Sequence, residues 1–204
     1  MDCSTSARQD GPTLAKRHRL GWIVPEENDG LRRAANIWRA SIPLNGTLAE
    51  VYLRQHRKLD VTRLGDLSHA LRYQPDLQAM IGLMTYPALG LACGVHRTFL
   101  SADGSKRERR MLGRAGAICL SRDEDVTTGL GITEGIEDGL RILLSGWRPM
   151  WACGSTSGID SFPVLPGVEC LTVFADNDDA GIRAAERCVQ RWHDAGAECR
   201  VVTP

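Results

Sequence analysis

The rhythm of apolar and polar positions changes near residue 128. Upstream, Leu31, Ala34, Ala35 and Trp38 recur at helical spacing, with Asp29 placed to cap the helix and Pro43 to end it. Thr47-Leu48-Ala49-Glu50 has the form of a capping box, in which hydroxyl and carboxylate reciprocally satisfy amide donors at a helix start. It predicts a second helix that carries Val51, Tyr52 and Leu53 and ends in Arg54, His56, Arg57 and Lys58. Residues 59–80 mix leucines with polar residues and Pro75, and predict only a short helix over Leu67–Tyr73. From Leu89 the period becomes two, through Leu91, Cys93, Val95 and Phe99, and Asp103-Gly104 is a hairpin turn signal. Return strands over Lys106–Leu112 and Ala117–Leu120 complete an expected antiparallel meander.

Beyond the acidic stretch Ser121–Thr128, short apolar runs alternate with helical spacing. Strands are expected at Leu130–Thr133, Met150–Cys153, Cys170–Ala175 and Arg200–Thr203, with a loop at Gly154–Gly158. One intervening helix presents Ile136, Leu140, Leu143 and Leu144, and another presents Ile182, Ala185, Val189 and Trp192. This is the grammar of an α/β fold: a mostly parallel sheet flanked by helices, preceded by a smaller α+β domain with an antiparallel sheet. The expected divisions are a polar, basic arm over 1–28, an α+β domain over 29–127 and the α/β domain over 128–204.

Composition narrows the setting. The seven cysteines are odd in number and scattered, with no Cys-x-x-Cys and no histidine at ligand spacing, as in a reduced, cytoplasmic protein. No signal-peptide block opens the sequence, and no run approaches the roughly 18 apolar residues of a membrane span. The formal net charge is zero, yet residues 1–120 hold 18 Lys and Arg against 11 Asp and Glu, and residues 121–204 hold 7 against 14. The halves therefore differ as a polyanion-binding and a cation-binding half would, although solvated surface charge gives a similar count. The basic residues include Lys16-Arg17-His18-Arg19 in the arm, and His96, Arg97, Lys106, Arg107, Arg109, Arg110 and Arg114 on the meander. The second group is expected to form a cationic surface for phosphates.

The acids have a sharper placement. Glu134 stands at the carboxyl end of one expected strand, and Asp176 and Asp178 at the end of another, where open α/β sheets collect their function. If those strands are neighbours, about 4.8 Å apart, three or more carboxylates share a small volume and need a positive charge to hold them. Oxygen donors without His or Cys suit Mg²⁺. A calcium EF-hand loop starting at Asp176 is excluded, because its fifth and twelfth places are Ala180 and Arg187. Asp179 is expected to cap the helix that follows, and a purely structural role for all these acids is the alternative.

Glu134-Gly135-Ile136-Glu137 after one buried strand, and Asp176-Asn177-Asp178 with Ala180-Gly181 after another, resemble the Toprim domain of phage- and plasmid-type primases and primase-helicases. The resemblance covers about residues 128–204. More faintly, residues 30–120 look like the region preceding Toprim in those proteins, through Gly94–Leu100, the Asp103-Gly104 turn, Lys106 and Leu112-Gly113.

That resemblance implies a DNA primase, a nucleotidyltransferase making primers on single-stranded DNA during replication of a phage, plasmid or other mobile element. Glu134, Asp176 and Asp178 would be catalytic, and these three with Asp138 would hold Mg²⁺, or Mn²⁺ in its place. His96, Arg97, Lys106, Arg110 and Arg114 would bind nucleic acid and nucleotide. Implied partners are the template strand, nucleoside triphosphates and a replicative helicase, with no membrane. No cysteines of a zinc ribbon precede the core, and the sequence stops at Val202-Thr203-Pro204, where such proteins commonly continue to another acidic motif. A fragment, a minimal polymerase needing a partner and an inactive remnant all fit. A Toprim nuclease using the same acids is the rival enzyme, and a catalytically idle DNA-binding or replication-assembly module is the rival of another class.

Overall fold

The computed structural model of the chain describes Gly21, Trp22 and residues 28–203. The arm expected over residues 1–28, with its Lys16–Arg19 cluster, falls outside these apart from Gly21, Trp22 and Asn28.

Helix α1 (Asp29–Arg39) buries Leu31, Ala34, Ala35 and Trp38, as the spacing predicts. Its cap is Asn28 rather than Asp29: the Asn28 side chain accepts from the Leu31 amide at 3.2 Å, and Asp29 pairs with Arg32 within the first turn. The helix stops at Arg39, ahead of Pro43. Thr47 caps α2 (Leu48–Val51) by accepting from the Ala49 amide, while Glu50 reaches one residue further back than a capping box requires and accepts from the Gly46 amide at 2.7 Å. The helix then widens into a π turn, Tyr52–His56.

No helix forms over Leu67–Tyr73. Leu67–Ala70 is a turn that delivers β1 (Leu71–Gln74), and β2 (Ala79–Tyr86) follows where no strand was expected. All of β2 except Tyr86 is buried, because both of its faces are covered, and a strand covered on both faces shows no alternation. β3 (Leu91–Leu100) and β4 (Lys106–Gly113) complete an antiparallel sheet in the order β1-β2-β3-β4. The close pairing of β3 with β4 ends at Gly94 opposite Gly113, where a β-carbon on Gly94 would lie 2.5 Å from the Arg114 carbonyl oxygen. The expected strand at Ala117–Leu120 is a connector instead. Ala117 bridges to Thr85 on β2 and Ile118 bridges to Ala152, so this segment sews the two halves together rather than extending the meander.

The second sheet contains β5 (Gly129–Thr133), β6 (Met150–Ala152), β7 (Cys170–Phe174) and β8 (Glu198–Val202), all parallel, in the order β6-β5-β7-β8. Helices α3 (Ile136–Leu144) and α5 (Asp179–Asp194) accompany it, and the expected loop at Gly154–Gly158 contains the start of a short helix α4 (Thr156–Asp160). The α/β architecture, antiparallel sheet first and parallel sheet second, is the one the alternation predicts.

Apolar burial joins the halves. Tyr52, Met80 and Met84 pack in one cluster with Ile136, Leu140 and Met150, so α2, β2 and α3 share a core. On the other face of the antiparallel sheet, α1 packs Ala34 and Trp38 on Ile81, Leu83 and Val95. Trp151, Phe162 and Trp192 anchor a third cluster beneath the parallel sheet. Six cysteines among the described residues are free thiols. No helix among the described residues is long and apolar enough to cross a membrane.

Candidate functional site

β5 and β7 are adjacent and parallel, with Thr133 opposite Phe174. Glu134 and the turn beginning at Ala175 therefore leave the sheet side by side, fulfilling the condition for the acids to meet.

Glu134 is almost buried, at 9% exposure. Its Oε2 accepts a hydrogen bond from the Thr156 hydroxyl at 2.6 Å, and its Oε1 stands 3.8 Å from Nη2 of Arg109. The loop bearing Thr156 is stitched to β5, since the Cys153 amide donates to Thr133 O and the Gly154 amide to Glu134 O, each at 2.8 Å. Arg187 and Arg191 of α5 hold the far end of α4 through Asp160.

Asp176 is exposed at the rim. Partial burial, and then the charges of Glu134, Asp138 and Asp178, push its carboxyl above the usual range, with Arg109 working against them. The other three acids named from the sequence thus act on Asp176 through space. Asp138 folds back over the helix start, where a β-carbon on Gly135 would come within 2.8 Å of its Oδ2. Asp178, not Asp179, caps α5: its Oδ1 accepts from the Gly181 amide at 2.7 Å, while Asp179 begins the helix and pairs with Arg183. One oxygen of Asp178 is therefore engaged in folding.

Among the described residues, no group of three or more His, Cys, Asp or Glu could hold a metal ion as placed. The donors still fit Mg²⁺ in kind, being hard carboxylate oxygens whose charges add to burial in raising Asp176. Such an ion takes one or two carboxylates and completes its shell with water and phosphate.

The basic residues do not form one surface. Strand alternation places His96 and Thr98 of β3, with their partners Met111 and Arg109 of β4, on one face, and Arg97 and Phe99, with Arg110 and Glu108, on the other. A bulge between Phe99 and Leu100 brings Lys106 opposite Leu100, onto the first face. That inner face meets the acids, through Arg109 at Glu134 and through Met111, whose methyl carbon would lie 3.0 Å from a β-carbon on Gly154. Arg97 and Arg110 belong to the outer face, where α1 packs. Burial and the nearby charges of Arg33 and Arg110 lower the pKa of Arg97, which donates to Met111 O at 3.2 Å. Arg110 pairs with Glu108 at 2.9 Å. Arg114 is exposed just past β4, and no ion pair links it to the acids among the described residues.

His96 is no surface cation. It is 5% exposed, and burial first, then Arg109, Lys106 and Arg97, lower its pKa to about 4 against the pull of Glu137. Glu137 itself accepts a hydrogen bond from the Tyr52 hydroxyl. Burial works against its charge, but Tyr52, its own backbone amide, Lys106 and Arg57 outweigh that and hold its carboxyl below the usual range.

Sequence reasoning did not single out Arg109, Thr156, Glu137 or Tyr52 as site residues. Arg109 was legible only as one of several hairpin cations; counting alternate positions back from the Gly94–Gly113 pair would have set it on the inner face. Thr156 follows the carboxyl end of an expected strand, which was a usable signal. Nothing in the local sequence marks Tyr52 as the partner of a residue 85 positions away.

Residues 129–204 match the family described as Toprim domain, and residues 28–120 match a domain of unknown function (DUF7146). No curated protein matches the chain. Among solved structures the chain is similar to the Aquifex aeolicus primase (zinc binding and RNA polymerase domains), with a TM-score of 0.53 at 17% identity, over 86% of this chain and 54% of that one. It is similar also to the DnaG catalytic core, with a TM-score of 0.53 at 14% identity, over 94% of this chain and 72% of that one. The resemblance drawn from the acidic motifs holds: a Toprim domain lies at the C-terminal side, and the fold is that of bacterial primase cores. The chain spans about half the length of the Aquifex aeolicus primase chain it matches.

Proposed function

We propose that this chain is the core of a Mg²⁺-dependent primase, a nucleotidyltransferase that lays short primers on single-stranded DNA during replication of a phage, plasmid or other mobile element. The supporting observation is the meeting of two unlike surfaces: Glu134, Asp138, Asp176 and Asp178 at neighbouring strand ends, and the cationic inner face of the antiparallel sheet, with Arg109 3.8 Å from Glu134. Acids alone would suit a nuclease equally well. Cations placed across from them suit a site that must accept a nucleoside triphosphate, whose phosphates need neutralising on the side the metal does not reach.

Asp176 and Glu134 would hold the ion, with Asp138 and the second oxygen of Asp178 beside them; Mn²⁺ would serve in its place. When bound, the ion would favour deprotonation of a primer 3′-hydroxyl and neutralise charge on the departing pyrophosphate. Glu134, fixed by Thr156, would accept the hydroxyl proton. Arg109 and Lys106 would draw the triphosphate into line, and Arg97, Arg110 and Arg114, away from the acids, would steady the template backbone. In this reading residues 29–127 form the nucleotide- and template-binding lobe, residues 128–204 supply the acids, and a replicative helicase is the natural partner.

The deciding experiment incubates the protein with a single-stranded template, labelled ribonucleotides and Mg²⁺. Primers of discrete length that vanish in Glu134→Gln support the reading. DNA shortened without added nucleotides would replace it with the nuclease, and retained DNA binding with neither product would replace it with the binding module.

A further inference from the structure

Glu137 lies in the first turn of α3 beside Asp138, yet it is engaged elsewhere. Adjacent helical residues project about 100° apart. Asp138 covers Gly135 and acts on Asp176, whereas Glu137 enters the antiparallel half and meets the Tyr52 hydroxyl, with Lys106 and Arg57 close enough to favour its charge. Tyr52 is 1% exposed and opens the π turn. That turn is itself held by the hairpin tip: a β-carbon on Gly104 would come within 2.7 Å of a Val51 methyl, and His56 Nε2 donates to Asp103 O at 3.1 Å. A continuous set of contacts therefore runs from the tip of the basic hairpin through the π turn and Tyr52 to the helix turn carrying Asp138.

The helix start that this linkage grips needs a partner, because Gly135 offers α3 no side-chain cap. We propose that Tyr52 and Glu137 are positioning residues, which clamp the first turn of α3 to the basic lobe and thereby set where Asp138 and Glu134 stand opposite Arg109 and Lys106. The role assigned to those acids rests on the metal-site reading above; the clamp itself does not.

The test uses Tyr52→Phe, Glu137→Gln and the double variant, read by amide hydrogen exchange over residues 134–144 and by the Mg²⁺ concentration that half-saturates the protein in a tryptophan-fluorescence titration. Losing a hydrogen bond to a charged group should speed exchange at Gly139, whose amide closes the first turn of α3 on Gly135 O, by roughly tenfold or more in Tyr52→Phe, and raise the Mg²⁺ midpoint several-fold. Glu137→Gln, which keeps an acceptor, should do less, and the double variant should be no worse than Tyr52→Phe. Unchanged exchange at α3 in both single variants would overturn the clamp. Faster exchange with an unmoved Mg²⁺ midpoint, in a protein whose metal response still requires Asp176 and Asp178, would overturn its effect on the acids. If the unsubstituted protein shows no such metal response, the metal-site reading fails while the exchange data still decide the clamp. Should Tyr52→Phe fail to fold, Glu137→Gln against Glu137→Ala carries the same comparison.

Discussion

Nη2 of Arg109 stands 3.8 Å from Oε1 of Glu134, joining the fourth strand of the antiparallel sheet to the carboxyl end of the first parallel strand. Its immediate neighbour Arg110 faces the opposite way and pairs with Glu108. If the chain makes primers as proposed, Arg109→Gln should lower their synthesis by roughly 10²-fold, the usual effect of removing one charge-stabilising donor at a reacting centre. Arg110→Gln should leave the rate at saturating template nearly unchanged. Equal losses in the two variants, measured as turnover at saturating template and nucleotide, would contradict the assignment of faces.

The outer face makes a different prediction. Arg33 and Arg110 lie close enough for their charges to act on Arg97, and like charges held together favour a polyanion over solvent. If they contact a template backbone, replacing all three by Gln should reduce the slope of log affinity against log salt for single-stranded DNA by about 2. The slope should come from fluorescence anisotropy over a range of salt concentrations, and an unchanged slope would remove these residues from the template path.

Thr156 bonds to Glu134 at 2.6 Å from a loop fastened to β5. Thr156→Val keeps the shape and deletes the donor, so an ionised Glu134 would lose about 1.5–3 kcal/mol of hydrogen bonding. Turnover should fall roughly tenfold or more with little change in the nucleotide KM, and Thr156→Ser should restore most of it.

These residues show where the sequence was readable. The parallel sheet was legible because its strands are short apolar runs with acids and glycines at their ends, and β5 and β7 put Glu134 and Asp176 where that pattern implied. β2 escaped notice because Ala79–Thr85 is buried on both faces and has no alternation to detect. Ala117–Leu120 has the composition of a strand, but its bridges go to two different sheets, a choice made by tertiary packing. The arginines were counted correctly as a basic group. Their division into inner and outer faces depends on a bulge at Phe99/Leu100 that no local residue pattern announces.

Asp176 should destabilise the folded protein until a cation joins the acids. Asp176 has its pKa raised by burial and by Glu134, Asp138 and Asp178. Its contribution to folding is thus favourable below its unfolded pKa and is lost as pH rises through the higher folded value. At neutral pH in EDTA, Asp176→Asn should raise Tm, by no more than about 1 kcal/mol in stability since the side chain is exposed and screened. Adding Mg²⁺ should stabilise the unsubstituted protein more than the variant and narrow or reverse the order. A variant that melts lower in EDTA would mean that Asp176 serves the fold rather than an ion.

His96 should make the protein acid-sensitive in the opposite sense. Its pKa falls from the ordinary 6.5 to about 4, through burial first and then Arg109, Lys106 and Arg97, with Glu137 opposing. A histidine held neutral in the folded state contributes stability that is full above pH 6.5 and is lost as pH falls through about 4. The difference corresponds to about 3.5 kcal/mol at most, at roughly 1.4 kcal/mol per pH unit. His69, also lowered by burial and by Arg122, adds to the same loss from a half-buried position elsewhere. Urea unfolding at pH 7.5 and pH 4.5 separates the two. His96→Gln cannot ionise, so it should lose distinctly less stability across that interval than the unsubstituted protein, while His69→Gln should remove a smaller part. An identical pH dependence in His96→Gln would show that solvent reaches the ring.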